Sequence, residues 1–88
     1  MKPTALIVGA GDNLGAAIAR RFAREGLHVV ATRRRGNMSD LAQQIERAGG
    51  AITTIHSDAR DEAAVQRLIQ QVETDIGPMA ACIFNVGG

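Results

Sequence analysis

Short apolar runs alternate with longer amphipathic segments along this chain, and this alternation limits the folds open to it. Four runs have the length and composition of strands: 5–8, 27–32, 51–55 and 80–84. Three segments with apolar residues at helical spacing lie between them: 14–24, one that starts at Ser39, and one capped by Asp58 or Asp61 that ends before Gly77. The order βαβαβαβ predicts a Rossmann-like α/β fold, a doubly wound parallel sheet with strand order 3-2-1-4.

The pattern also predicts which side chains are buried and whether these residues need a further chain segment or a partner chain. Leu14, Ile18 and Phe22 share one face of the first helix, and Ser39 is placed to cap the second. Cys82 and Phe84 are expected in the core, because the fourth strand is apolar throughout. That strand would leave an apolar edge in solvent. We therefore expect the first part of a longer protein, or a chain that pairs with another.

Composition excludes several classes of protein. The 88 residues suffice for one domain, and the net charge of +1 creates no field that would attract nucleic acid or a membrane surface. One cysteine excludes a disulfide framework and a multi-cysteine metal site. The sequence has no signal peptide and no apolar run of membrane-spanning length, so we expect a cytoplasmic protein without a metal.

Glycines mark the junction between the first predicted strand and the first predicted helix. The segment is Gly9-Ala10-Gly11-Asp12-Asn13-Leu14-Gly15. It fits G-x-x-x-G-x-G with asparagine at the middle glycine, a mild change because asparagine tolerates positive φ. Such a turn lets the backbone approach a pyrophosphate at a helix start. The alternative is a turn that only needs glycine conformations, but the flanking strand and helix favour a dinucleotide site formed by this segment.

Three consecutive arginines, Arg33 to Arg35, follow the second predicted strand. An acidic residue at this place would bind the ribose 2′-hydroxyl of NAD, and none is present. Guanidinium groups suit a phosphate instead. We therefore predict that Arg33 and Arg34 bind the 2′-phosphate of NADP, with NAD as the weaker alternative. A solvated loop and a nucleic-acid patch are the other interpretations, and the patch lacks aromatic stacking partners.

With these motifs in place, the chain resembles the amino-terminal part of the short-chain dehydrogenase/reductase family over its whole length. The glycine segment matches the family's G-x-x-x-G-x-G at Gly9, Asn13 and Gly15. The segment 57–61 resembles the family's stretch in which an aspartate contacts the adenine amino group. The resemblance gives that role to Asp58, with Ala59 beside it. A helix cap is the alternative for Asp58.

The end of the chain is similar to the family's Asn-Asn-Ala-Gly motif. Asn85 takes the first position, which supports the sheet near the cofactor ribose, and Gly87 takes a cofactor-binding position. A simple turn residue is the alternative for Asn85. Val8, Asn13, Val86 and Gly87 depart from the family's common residues, which weakens any assignment to a subfamily.

The resemblance implies hydride transfer between nicotinamide and a small alcohol or carbonyl compound in a homo-oligomer. The family's catalytic serine, tyrosine and lysine lie beyond residue 88, and this chain has no tyrosine. We therefore assign no catalytic residue and expect residues 1–88 to be the NADP-binding half of such an oxidoreductase. The alternative is a non-catalytic module that binds or senses a dinucleotide.

Overall fold

The computed structural model describes residues 2–10, 13–34 and 36–85. Strands and helices follow one another in the predicted order. They are β1 (Thr4–Val8), α1 (Asn13–Arg24), β2 (His28–Arg33), α2 (Ser39–Arg47), β3 (Ala51–His56), α3 (Glu62–Gln71), a π-helical segment (Val72–Ile76) and β4 (Met79–Phe84). The π-helical segment ends directly before Gly77-Pro78, where proline cannot continue a helix.

All strand pairs are parallel, and the strand order is β3-β2-β1-β4, which confirms the predicted topology. β1 therefore lies at the centre of the sheet, where Leu6 pairs with Val30 on one side and with Cys82 on the other. The chain winds outward from β1 in one direction and then returns to its other side for β4. In such sheets the crevice for a ligand lies at the carboxyl ends of the strands, at the point of reversal.

The sheet separates two apolar clusters. On one face Ile7 and Val29 pack against α1 and α2, together with Leu41 and Ile45 of α2. Leu6 and Val8 belong to the cluster on the opposite face, which contains Leu68 of α3. All five residues of β1 are buried. Successive side chains of a strand point to opposite faces, so β1 anchors both clusters and fixes the position of the turn that follows it.

The predicted burial of the fourth strand is wrong for two residues. Cys82 is exposed, and 54% of the Phe84 surface is accessible. Both residues pair with β1 residues of the α3-side cluster, Leu6 and Val8. However, β4 is the edge strand, and no helix in the described part of the chain covers its outer positions on that face. A pattern of apolar residues cannot distinguish such an edge from a central strand.

Three predictions about helix starts have different outcomes. Ser39 is the first residue of α2 and does not cap it with its side chain; instead its N–H donates to Asn37 Oδ1 over 2.7 Å. Leu14 is 60% exposed and does not share the buried face of α1 with Ile18 and Phe22. Asp61 is the N-cap of α3, where its Oδ1 accepts from the Ala64 N–H over 3.2 Å. In the described ranges, no helix has both the length and the apolar character needed to cross a bilayer.

Candidate functional site

The turn after β1 is fixed to the end of β2. The N–H groups of Gly9 and Ala10 both donate to the Thr32 carbonyl oxygen, at 2.9 and 2.8 Å. The Thr32 hydroxyl in turn donates to the Ile7 carbonyl oxygen at 3.3 Å. Gly9 adopts a φ of 90°, which an L-residue rarely reaches. The turn therefore leaves the sheet in one defined direction.

The end of β4 closes on the same turn. The Asn85 backbone N–H donates to the Val8 carbonyl oxygen over 2.7 Å, and its side-chain Nδ2 donates to the Gly9 carbonyl oxygen over 3.2 Å. A Cβ atom on Gly9 would collide with the Asn85 carbonyl oxygen. Only glycine fits at position 9 for this reason as well as for its φ.

Gly15 brings the first turn of α1 against this junction. A Cβ atom there would lie 2.6 Å from the Gly9 carbonyl oxygen and 2.8 Å from Ala10 Cα, closer than such atoms approach in proteins. Both neighbours are backbone atoms that cannot rotate away. The sequence interpretation that Gly15 allows close helix packing is therefore consistent with the geometry.

The start of α1 has the properties of an anion-binding helix end. The start of a helix carries a partial positive charge, and the first described turn of α1 adds no acidic side chain to it; the acidic Asp12 directly precedes this turn in the sequence. Asn13 and Leu14 are exposed at this end, which places them on the surface and not in the core. Gly11 and Asp12, two further candidates of this segment, lie outside the described residues.

A second group of candidates lies at the ends of β2 and β3. Arg33 is the half-buried last residue of β2, and the exposed Arg34 follows it. In the described part of the chain neither guanidinium is paired with a carboxylate. The Arg33 carbonyl oxygen accepts from the Ser57 N–H over 3.1 Å, which joins the ends of the two strands. Arg35 lies outside the described residues.

Asp58 forms a local turn with Arg60. Its Oδ1 accepts from the Arg60 backbone N–H at 2.9 Å, and its two oxygens accept from the Arg60 guanidinium at 3.2 and 3.3 Å. These side-chain bonds first, and the backbone bond second, hold the pKa of Asp58 below its usual range; a weaker effect of the Arg34 charge has the same sign. The helix-cap alternative for Asp58 is wrong, since Asp61 caps α3. Ala59 packs against the α3-side cluster.

All candidates that the structure describes lie at the carboxyl edge of the sheet. Gly9 follows β1, Arg34 follows β2, Asp58 follows β3 and Asn85 follows β4. The glycine turn and Asn85 meet directly, whereas the arginines and Asp58 form a separate group beside them. Gly87 lies outside the described residues.

Two residues of this edge were missed by sequence reasoning. Thr32 supplies the carbonyl oxygen that receives both turn N–H groups, and His56 is hydrogen bonded to the loop after β2. Backbone acceptors leave no trace in a sequence, so Thr32 could not have been found. The position of His56 at the end of a strand beside the arginines could have marked it as a candidate, but its contact with Gly36 could not have been found from the sequence.

Other parts of the molecule offer less chemistry. Among the described residues no group of three histidine, cysteine or acidic side chains could hold a metal ion. Although Cys82 is exposed at the surface, desolvation by neighbouring protein atoms raises the pKa of its thiol, which disfavours the nucleophilic thiolate. A groove of about 300 Å³ between α1 and α2, lined by Arg20, Ile45 and Gly50 among others, contains none of the candidate residues.

A parallel sheet in the order 3-2-1-4, with a glycine turn at its point of reversal, defines a Rossmann-like α/β protein. The sequence profile of the short chain dehydrogenase family matches residues 3–88. The chain belongs to this family of oxidoreductases.

Individual relatives agree with this assignment. The chain is 33% identical over 85 residues to ketoacyl reductase HetN of Nostoc, and the match covers 96% of this chain and 30% of that protein. A short-chain dehydrogenase from Rhodopseudomonas palustris superimposes with a TM-score of 0.92 at 41% identity, over 98% of this chain and 41% of that one. A metagenomic short-chain oxidoreductase in complex with NADP gives a TM-score of 0.91 at 28% identity, over 98% and 39% of the two chains. The chain thus spans about three tenths of the length of HetN and about two fifths of these two structures.

Proposed function

We propose that this chain is the NADP(H)-binding, amino-terminal half of a short-chain dehydrogenase/reductase that acts on an alcohol or carbonyl compound. The observation that carries the proposal is the presence of Arg33 and Arg34 at the end of β2 without carboxylate partners among the described residues. Guanidinium donors at this place suit the phosphate that distinguishes NADP from NAD.

The residues present fit such a cofactor. The backbone at Gly9 and Gly15 leaves no room for a side chain, and the partial positive charge of the α1 start favours an anion, so this junction suits the pyrophosphate. Asn13 and Leu14 would border it. Asn85 supports the turn from the side of β4. When bound, the cofactor supplies or accepts a hydride at nicotinamide C4.

The adenosine half would lie toward the ends of β2 and β3. Arg33 and Arg34 would donate to the 2′-phosphate, and Asp58 with Ala59 would border the adenine. Hydrogen bonds between charged groups contribute about 1.5–3 kcal/mol each, and solvent screening reduces this at an exposed side chain such as Arg34. Two of them would favour NADP over NAD by roughly ten- to a hundredfold. The NADP complex of the metagenomic relative supports a nicotinamide dinucleotide in this family.

The test is a pair of titrations of the purified protein, one with NADPH and one with NADH. Isothermal titration calorimetry measures the dissociation constant of each cofactor. Arg33→Ala and Arg34→Ala should weaken NADPH binding and leave NADH binding nearly unchanged. Arg67→Ala removes an exposed arginine of α3 that is not among the candidate residues and serves as the matched control. Equal affinity of the unaltered protein for the two cofactors would contradict the proposal.

We also propose that the protein works in the cytoplasm as a homo-oligomer. The resemblance to the family supports the homo-oligomer. Light scattering coupled to gel filtration measures the oligomeric state, and a monomer over a wide concentration range would count against it. Hydride transfer to a panel of small aldehydes and ketones, measured on the full-length protein of which residues 1–88 are proposed to be the amino-terminal half, distinguishes an oxidoreductase from a module that only binds the dinucleotide.

A further inference from the structure

His56 connects the end of β3 to the loop that follows β2. Its Nε2 lies 2.7 Å from the Gly36 carbonyl oxygen. A carbonyl oxygen can only accept, so Nε2 must carry the hydrogen and donate it. Gly36 has a φ of 102°, which orients its carbonyl group in a way that other residues rarely reach. The imidazole is therefore bonded to a backbone group in a conformation that favours glycine at position 36.

Gly36 in turn supports the side chain of Arg33. A Cβ atom on Gly36 would lie 2.9 Å from Arg33 Cζ and 3.1 Å from each of Nη1 and Nη2. Cζ is the nearest of the three atoms, so this point lies over the face of the planar guanidinium and not at its edge. The guanidinium thus rests flat on the glycine, and the N–H donors along its edge point sideways. An arginine presents these edge donors to a phosphate.

The register of the sheet places the two side chains on the same side. Arg33 pairs with His56 in the parallel β2–β3 ladder, and partners in such a ladder point to the same face. The Ser57 N–H continues the ladder by donating to the Arg33 carbonyl oxygen. His56 and Gly36 are exposed, and neither belongs to an apolar cluster. Their hydrogen bond consequently joins two surface segments and adds nothing to the packing of the core.

We propose that His56 is a positioning residue for cofactor selection: by holding Gly36 beneath Arg33, it keeps the guanidinium edge turned toward the 2′-phosphate. The inference rests on the proposed function, since it assigns to His56 the preorganisation of the arginine that would bind this phosphate. Without the bond, Arg33 would retain its charge but would have to be ordered at each binding event, which costs affinity.

The experiment uses two ligands that differ only in the group concerned, adenosine 2′,5′-bisphosphate and adenosine 5′-monophosphate. Calorimetry gives their dissociation constants for the unaltered protein, His56→Ala and His56→Gln. We expect His56→Ala to raise the dissociation constant of the bisphosphate by about three- to tenfold, which is the effect of ordering one long side chain. The dissociation constant of the monophosphate should not change. His56→Gln keeps an N–H donor at a similar reach and should restore most of the preference.

Several outcomes would overturn the inference, and they can be told apart. If the unaltered protein prefers the bisphosphate and His56→Ala keeps that preference, positioning by His56 is wrong while the proposed function stands. If His56→Ala weakens the binding of both ligands equally, the residue has only a structural role and the inference is wrong. If the unaltered protein shows no preference, both proposals fail together. Should His56→Ala not fold, Gly36→Ala displaces the same guanidinium, and an unchanged preference there would also overturn the inference.

Discussion

The side chain of Asn85 donates from Nδ2 to the carbonyl oxygen of Gly9, 3.2 Å away, across the point where the strand order of the sheet reverses. The backbone N–H of Asn85 extends the β1–β4 ladder by one bond, to the Val8 carbonyl oxygen. One residue after β4 therefore fixes both the last residue of β1 and the turn that follows it. The shape of the proposed pyrophosphate site depends on a contact between the two ends of this chain.

This contact predicts the effect of Asn85→Asp. The substitution keeps the size of the side chain, removes the donor and brings a negative charge toward the Gly9 carbonyl oxygen. We expect the free energy of unfolding to fall by about 1–3 kcal/mol, the cost of a lost partner at a half-buried group. Dinucleotide affinity should also fall, because the charge would oppose the pyrophosphate. Urea unfolding followed by circular dichroism gives the first quantity.

Asn37→Asp is the matched control for this substitution. Asn37 uses its Oδ1 as an acceptor for the Ser39 N–H, and an aspartate retains that acceptor. Its effect on the free energy of unfolding should stay within about 0.5 kcal/mol, as is usual for surface substitutions. If both aspartate variants change stability equally, the bond from Asn85 to Gly9 is not important for the fold.

A comparison of two glycines separates backbone strain from steric exclusion. Gly9 and Gly26 have nearly the same φ, 90° and 91°. A Cβ atom on Gly26 meets nothing within 4 Å, whereas one on Gly9 collides with the Asn85 carbonyl oxygen. Gly26→Ala should therefore cost about 1–2 kcal/mol of the free energy of unfolding, the strain alone. Gly9→Ala should lower the free energy of unfolding clearly more than Gly26→Ala does. If the two variants unfold at the same urea concentration, the collision with Asn85 is relieved at no cost.

The order of the elements and the sheet topology could be predicted because they depend on local patterns. Apolar runs such as 5–8, stop signals such as Gly77-Pro78, and the handedness of parallel crossovers together determine the strand order. The resemblance to the family then locates the candidate residues along the chain. The side chains at the carboxyl edge come close to one another because each follows a strand of one parallel sheet.

Features that depend on contacts distant in sequence could not be predicted. Leu14 and Phe84 have the apolar character of core residues, but a helix start and an edge strand leave them in solvent. The hydrogen bond of His56 to Gly36 joins residues 20 positions apart and depends on a glycine conformation that no pattern specifies. Hence the sequence identified the arginines at this edge but not the histidine that is hydrogen bonded to Gly36.

Asp58 and Asp61 are close in sequence but should differ in their effect on stability. Asp61 caps α3 through the Ala64 N–H, so Asp61→Ala should lower the free energy of unfolding by about 0.5–2 kcal/mol. The Asp58 carboxylate accepts only from Arg60 among the described residues, and that surface pair contributes little. Asp58→Ala should have a smaller effect than Asp61→Ala in the same urea experiment. The reverse order would show that Asp58 supports the helix.

His28 should make the stability of the protein depend on pH. Partial burial first, and the charge of Lys2 second, lower the pKa of this imidazole from its ordinary value of 6.5. The folded state therefore binds the proton less readily than the unfolded state does. As the pH falls below about 6.5, the unfolded chain takes up the proton first, and the free energy of unfolding decreases until the pH passes the lower pKa of the folded state. Above this range the contribution of His28 to stability is fully present.

His28→Gln tests this assignment, because glutamine retains a polar group toward Thr53, whose Oγ1 lies 2.8 Å from His28 Nε2, and does not titrate. Urea unfolding of both proteins between about pH 5 and pH 7.5 should show a smaller pH dependence for the variant. Lys2→Gln keeps the imidazole and removes only the second cause, so it should reduce the dependence in part. If His28→Gln leaves the dependence unchanged, another group is responsible for it, and His28 is protonated equally in the folded and unfolded chains.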